Sequence, residues 1–282
     1  CGKNMSKETV GSIGEQKETN YALRADMTKE EFVKEVLDGI LPPPAYFPLN
    51  VKLNKEGYQD VSEVINRGKT AIKVEDLESI VENTGALVLD VRHQNDFGQA
   101  HIPKSIFIGI DGGFAPWVGA LIKDVQQAMI LVVDSERLEE TITRLSRVGF
   151  DNILGYVEGG VEAWKSSGKE VDSVQGVTAQ TFEEILSSED NVMVKDVRKN
   201  SEYLSEHILD AENTPLDFLN EHLDAFSEGT HYIHCAGGYR SMIAASILKS
   251  RGVHNIVDVQ GGFAAIKDTE IEVSAYVCPS TL

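Results

Sequence analysis

Two short, almost wholly apolar runs stand out along the chain, because both end in the same charged tripeptide. Leu87-Val88-Leu89-Asp90-Val91-Arg92 is answered by Val192-Met193-Val194-Lys195-Asp196-Val197-Arg198. Runs of this length, rich in Val and Leu and without alternation, predict strands buried on both faces. Each is preceded by a helix-like spacing of apolar positions, over residues 74–82 and 179–187. Each is followed by a loop through His-Ile, at His101-Ile102 and His207-Ile208. A second β-rich run comes next (129–133 and 231–234), then a helical pattern (138–148 and 241–251), then Asn-Ile and a third strand closing on Gly159-Gly160 or Gly261-Gly262. Asp90 to Asp196 and His101 to His207 are both 106 residues apart, and Gly159 to Gly261 is 102. Two homologous units of slightly different length account for all three offsets. Strands alternating with helices predict an α/β class, each unit a parallel sheet flanked by helices.

The opening residues do not join the repeat. A helical pattern over 28–41 carries the acidic pair Glu30-Glu31 in its first turn, and Pro42-Pro43-Pro44 stops it, followed by an extended 46–48. The predicted organisation is a helical and extended arm at 1–67, one unit at 68–172 and a second at 173–282.

Composition narrows the possibilities. With 282 residues, 41% hydrophobic and 25% charged, the chain can bury substantial cores. No apolar run approaches the roughly 20 residues of a membrane span, so no membrane association is expected. The net charge of −19 argues against a nucleic-acid partner, which requires a basic stripe. Three cysteines, at 1, 235 and 278, form neither a disulfide framework nor a C-x-x-C pair, and they fit a reducing cytoplasm. The start, Cys1-Gly2-Lys3-Asn4-Met5-Ser6, has no signal-peptide pattern and reads as a piece of a longer chain.

The chemistry concentrates at Cys235-Ala236-Gly237-Gly238-Tyr239-Arg240-Ser241. The strand at 231–234 delivers Cys235 to the carboxyl edge of a sheet, where α/β folds bind ligands. Gly237 and Gly238 lack a Cβ, so the backbone can curl until successive N–H groups converge on one point at a helix N-terminus. Convergent amides, the helix dipole and Arg240 all favour a thiolate over a thiol at Cys235. Such a thiolate can take up a sulfane sulfur, and the same amides can stabilise the resulting persulfide. Ala236, Gly237, Gly238 and Tyr239 would cradle the substrate, Arg240 would orient an anionic donor, and the Ser241 hydroxyl would cap the helix.

Other candidates have plainer readings. A lone buried cysteine is commonly an inert small hydrophobe, but Gly-Gly and an Arg after a strand end have few structural reasons to exist. Asp196 and Arg198 read as an ion pair bracing the neighbouring loop. His231 and His234 are three apart on a strand and face opposite sides, so no metal site is expected. Cys278 reads as an incidental exposed residue, and Trp117 and Trp164 as core aromatics.

Asp196-Val197-Arg198, Glu202, His207-Ile208 and the run Cys235 to Arg240 followed by Ser241 resemble the rhodanese homology domain, and the resemblance spans residues 68–282 as a tandem pair. It implies a sulfurtransferase with Cys235 as persulfide carrier and Arg240 in the catalytic loop. It implies a small-molecule sulfur donor, thiosulfate or a persulfide, a thiol or cyanide acceptor, and no cofactor. The six residues from Cys235 to Arg240 resemble sulfurtransferases, whereas the related phosphatases use one more. The second unit departs from the family's Gly-His-Ile-Pro with Glu206-His207-Ile208-Leu209. The first unit has no cysteine, and its equivalent stretch, Val133-Asp134-Ser135-Glu136-Arg137, lacks glycine and carries two acids, so it reads as a degenerate unit with a structural or docking role. Asn20-Tyr21-Ala22-Leu23, the helical pattern at 30–37, residues 42–47 and Asn50-Val51 are similar to the end of the metallo-β-lactamase domain in bacterial fusions of such a hydrolase with two rhodanese units. An upstream metallo-hydrolase partner is thereby implied, although no His precedes His93 and the metal-binding core is absent from this sequence. Two rival readings remain: a cysteine-dependent phosphatase or arsenate reductase, and a non-catalytic docking module.

Overall fold

The structure is a computed structural model that describes residues 10–37, 47–57 and 60–278. The chain divides into two compact units, residues 1–43 and 44–282. In the first unit, helix Ile13–Thr19 is capped by Ser12, a 3-10 turn covers Tyr21–Leu23, and helix Lys29–Leu37 follows. That helix occupies most of the pattern predicted at 28–41, whose last residues, like the three prolines and Tyr46, lie outside the described residues.

In the second unit, Phe47–Glu56 is helical, where the sequence predicts an extended segment through Phe47-Pro48. Proline is tolerated in a helix's first turn, since the N–H it lacks has no intrahelical acceptor there. Helix Val61–Gly68 packs on the first sheet through the buried Val64.

Two five-stranded sheets carry the rest. The first comprises β1 (Ala71–Ile72), β2 (Leu87–Asp90), β3 (Ile106–Phe107), β4 (Met129–Val132) and β5 (Ile153–Val157), in the order β1-β5-β4-β2-β3. The second comprises β6 (Gln175–Val177), β7 (Met193–Asp196), β8 (Glu212–Asn213), β9 (His231–His234) and β10 (Ile256–Val259), in the equivalent order β6-β10-β9-β7-β8. All pairings are parallel, as the alternation of strands with helices requires. The α/β class and the tandem arrangement match the expectation from sequence, with five strands per sheet in place of three. The added strands are two or three residues long, too short for periodicity to register. Helices Gln94–Gln99 and Asn200–Ser205 occupy stretches that the sequence presents as loop. Among the described residues no helix is long and apolar enough to cross a membrane.

The register brings the chemistry to one rim. Asp196 pairs with His234, so the Asp-Val-Arg end of β7 and the start of the Cys235 loop are neighbours at the carboxyl edge. Arg198 donates to both carboxylate oxygens of Asp196 and, through Nη2, to Glu206 O at 2.8 Å. Arg92 repeats this in the first sheet, reaching Asp90 and Ala100 O. In both units the pair pins the loop that follows the strand.

One apolar cluster runs through both domains, and each sheet has a second cluster of its own. Helix Tyr239–Ser250 is buried from Ser241 to Leu248, and its residues Ile243, Ile247 and Leu248 lie in one apolar cluster with Leu89, Phe107 and Phe114 of the first domain. Each such aliphatic side chain contributes about 2 kcal/mol by leaving water. Polar contacts fix the register of this packing. The Phe107 amide donates to Ser246 Oγ at 3.0 Å, and Lys249 pairs with Asp172 at 3.0 Å.

Candidate active site

Cys235 follows β9 directly and is 1% exposed. Gly238 adopts φ +98°, a left-handed conformation suited to glycine, and from there its N–H donates to Cys235 Sγ at 3.1 Å. Gly238 is also the N-cap of helix Tyr239–Ser250, so the sulfur lies against the positive end of that helix. The other side of the loop is held from below. Phe263 N–H donates to Cys235 O at 2.7 Å and Ala264 N–H to Ala236 O at 3.0 Å, both from helix Gly262–Ile266. In a trans peptide the carbonyl and the following N–H point opposite ways, so these bonds turn the Ala236 and Gly237 amides away from the supporting helix. The second glycine of the Gly-Gly pair makes this approach possible. A Cβ on Gly262 would overlap Cys235 O and lie 2.9 Å from Ala236 C and Gly237 N.

Arg240 closes the loop with its guanidinium turned onto Glu202, Nη1 to Oε2 at 2.6 Å and Nη2 to Oε1 at 2.8 Å. Glu202 also accepts from Lys199 N–H, so one carboxylate ties helix Asn200–Ser205 to the loop. The hydrogen bonds from Arg240 hold the Glu202 carboxyl below the usual carboxylate range, and the same bonds raise the Arg240 guanidinium further.

Ser241 is not the cap that the sequence predicts. The helix begins two residues earlier, because Gly238 can take the left-handed conformation that starts it there. Ser241 lies inside the first turn, fully buried, with its Oγ donating to Gly238 O at 3.2 Å. Tyr239 faces the first domain. Its hydroxyl donates to Gly109 O at 2.6 Å, and its ring covers Gly112, where any Cβ would collide with it. Burial pushes the Tyr239 phenol up, which keeps it a neutral donor. His231 and His234 have separate ring partners, Phe226 and Phe263, and burial lowers both imidazoles.

Gly237 and Gly238 also line a pocket of about 490 Å³ between the domains, with Gln94, Asn95 and Gln99 on one side and Asp258 and Gln260 on the other. Neither Asp258 nor Gln260 stands out in the sequence, and Gly262 stands out only as a repeat marker. In the first domain the equivalent of the Cys235 loop is the 3-10 turn Ser135–Arg137, whose Arg137 is engaged by Glu140 and Asp111. A Cβ added to Gly160, the counterpart of Gly262, would meet nothing within 4 Å.

A buried thiol that accepts a backbone N–H at a strand-to-helix turn, in one of two like α/β domains, defines a cysteine-loop protein. The rhodanese-like domain family model matches residues 73–167 and 178–269. The chain belongs to the rhodanese-like family. The Synechocystis protein slr1261, itself uncharacterised, is 39% identical over 83 residues, 29% of this chain and 46% of that protein. YrkF of Bacillus subtilis, whose name proposes a sulfur carrier, is 27% identical over 97 residues, 34% of this chain and 52% of its own. The chain thus spans about half the length of these curated relatives. Among solved structures, a Staphylococcus aureus rhodanese-like domain protein is 29% identical with a TM-score of 0.33, covering 36% of this chain and 100% of that one. The Pseudomonas aeruginosa thiosulfate sulfurtransferase is 16% identical with a TM-score of 0.33, covering 74% of this chain and 44% of its own.

Proposed function

We propose that the second domain is a sulfurtransferase whose resident intermediate is a Cys235 persulfide. One observation carries the reading: the Gly238 N–H rests on Cys235 Sγ at 3.1 Å in a loop whose carbonyls are bound from below by Phe263 and Ala264. Amides fixed beforehand stabilise sulfur anions without reorganising when charge moves. In the first half-reaction the Cys235 thiolate attacks the outer sulfur of thiosulfate. The Sγ–S bond forms, the S–S bond of the donor breaks, and its electron pair leaves with sulfite. In the second, an acceptor thiolate attacks the terminal sulfur of Cys235-S-S⁻, the Sγ–S bond breaks, and Cys235 returns as thiolate while the acceptor becomes a persulfide. A low-molecular-weight persulfide can replace thiosulfate as donor, leaving as its parent thiolate, and an upstream hydrolase of the kind the opening residues resemble would act on such persulfides.

Arg240, neutralised by Glu202, has the role of closing and positioning the loop, and the loop amides bind the charge. The first domain, without a thiol, braces the site through Gly109 and Gly112 under Tyr239. The test is intact-protein mass spectrometry after incubation with thiosulfate. A gain of one sulfur, about 32 Da, is expected in the wild type and not in Cys235→Ser. Hydrolysis of an aryl phosphate with no adduct would replace this reading with the phosphatase, and the absence of both signals would replace it with a docking module.

A further inference from the structure

The pocket beside the loop contains a group that sulfur transfer as described does not use. Asp258 projects from the middle of β10, is 4% exposed, and lines the pocket, yet its Oδ1 is buried without a hydrogen-bond partner. The nearby Ser241 hydroxyl, 3.2 Å from Gly238 O, also hydrogen-bonds this carboxyl, but Oδ1 stays outside any hydrogen bond. A buried carboxyl oxygen left unpaired is costly, and natural proteins keep such groups rarely without a use for them. The remaining polar lining is uncharged: the side-chain amides of Gln94, Asn95 and Gln99 from the first domain and of Gln260 from the second. No Lys, Arg or His lines this pocket among the described residues, so its side chains bring no positive charge to a sulfonate or a phosphate. Its size, about 490 Å³, falls in the range of small-ligand sites. Gly176 keeps the space open against Gln260, since a Cβ there would come within 2.7 Å of Gln260 Nε2.

We infer that this interdomain pocket is a subsite for the sulfur acceptor, and that it selects an aminothiol by pairing the acceptor's ammonium group with Asp258 while the carboxamides hydrogen-bond its polar backbone. The inference deepens the sulfurtransferase reading and rests on it. Thiosulfate, a dianion, would load Cys235 without using the pocket, and the acceptor would be chosen by charge of the opposite sign. The first domain then contributes half of the acceptor's binding wall.

The experiment begins with protein loaded by thiosulfate, followed by sulfur transfer to cysteamine, 2-mercaptoethanol and 3-mercaptopropionate at matched thiolate concentrations. The wild type should favour cysteamine over 2-mercaptoethanol by about tenfold in KM, the size of one hydrogen bond to a charged group, with 3-mercaptopropionate the poorest of the three. Asp258→Asn should collapse that ratio to about one. Equal KM values for the three thiols in the wild type, or an unchanged ratio in Asp258→Asn, would overturn the subsite. If loading itself fails, the sulfurtransferase reading falls, and calorimetry with 2-(methylthio)ethylamine still decides the pocket. Binding by the wild type that Asp258→Asn loses upholds it, and no binding by the wild type removes it.

Discussion

Gly160 and Gly262 occupy equivalent places in the two domains, with φ of +57° and +58°, and differ in what lies above them. Replacing either by Ala imposes the same backbone strain, about 1–2 kcal/mol for an L-residue in the left-handed region. At Gly160 that is the whole cost, because no atom lies within 4 Å of the added Cβ. At Gly262 the methyl group must enter the space held by Cys235 O, Ala236 C and Gly237 N, all backbone atoms that cannot rotate away. The loop must lift. The bonds from Phe263 to Cys235 O and from Ala264 to Ala236 O then stretch, each worth about 1 kcal/mol, and the overlap adds about 1–3 kcal/mol more. Gly262→Ala should therefore lose about 4–7 kcal/mol and Gly160→Ala about 1–2 kcal/mol. In urea this corresponds to a midpoint shift of about 2 M against less than about 1 M. Lifting the loop also moves the amides that face the sulfur, so Gly262→Ala should load sulfur from thiosulfate at a small fraction of the wild-type rate while Gly160→Ala loads normally. Equal midpoint shifts for the two variants, or normal loading by a folded Gly262→Ala, would refute the claim that the second Gly-Gly pair exists to support the thiol loop.

Tyr239→Phe removes the shorter of the two hydrogen bonds to Gly109 O, leaving only the 3.4 Å bond from Gly112 N–H, for a loss of about 1–2 kcal/mol in urea unfolding and a slower sulfur-loading step. Glu202→Gln leaves Arg240 without its carboxylate and should cut the loading rate by about tenfold, read by mass spectrometry over time. Because the folded Glu202 carboxyl lies below its unfolded value of 4.5, its stabilisation is present above that pH and lost as pH falls through the folded value. The acid limb of stability should therefore be flatter in Glu202→Gln. Asp258 has the opposite sign: burial pushes its carboxyl from 3.8 up to about 6, so the folded chain holds the proton more tightly. Stability contributed there falls as pH rises from about 4 to about 6. Asp258→Asn should gain up to about 3 kcal/mol on the wild type between pH 4 and pH 7.5, measured by urea unfolding at each pH.

Much of the molecule is legible in the residue order, and the reasons differ by element. β2, β4 and β7 show themselves because almost every position in them is buried, so no alternation with solvent-facing residues blurs the apolar run. The thiol loop shows itself because a cysteine, two glycines and an arginine follow a strand in six residues. Helix Tyr239–Ser250 starts two residues before the sequence suggests, since Ser241 looks like a cap and Tyr239-Arg240 does not look like a first turn. The bond from Tyr239 to Gly109 spans 130 residues and belongs to domain packing, which no local pattern encodes. Asp258 is inconspicuous because an acid within a short apolar run reads as a solvated position until the neighbouring helix is seen to cover it. Pro48 misleads in a different way: with three prolines close before it, it reads as extended chain, but in a helix's first turn it costs nothing.

A crossover helix in an α/β domain ordinarily shows one side to its own sheet and the other to water. Tyr239–Ser250 has no wet side along its central two turns. The thiol-bearing half is thus not a portable cassette: cut free, it would present a bare apolar ridge directly behind its cysteine loop. The cysteine-free first domain is the surface that covers this ridge, and any rearrangement of the gene that discards it must put another surface in its place.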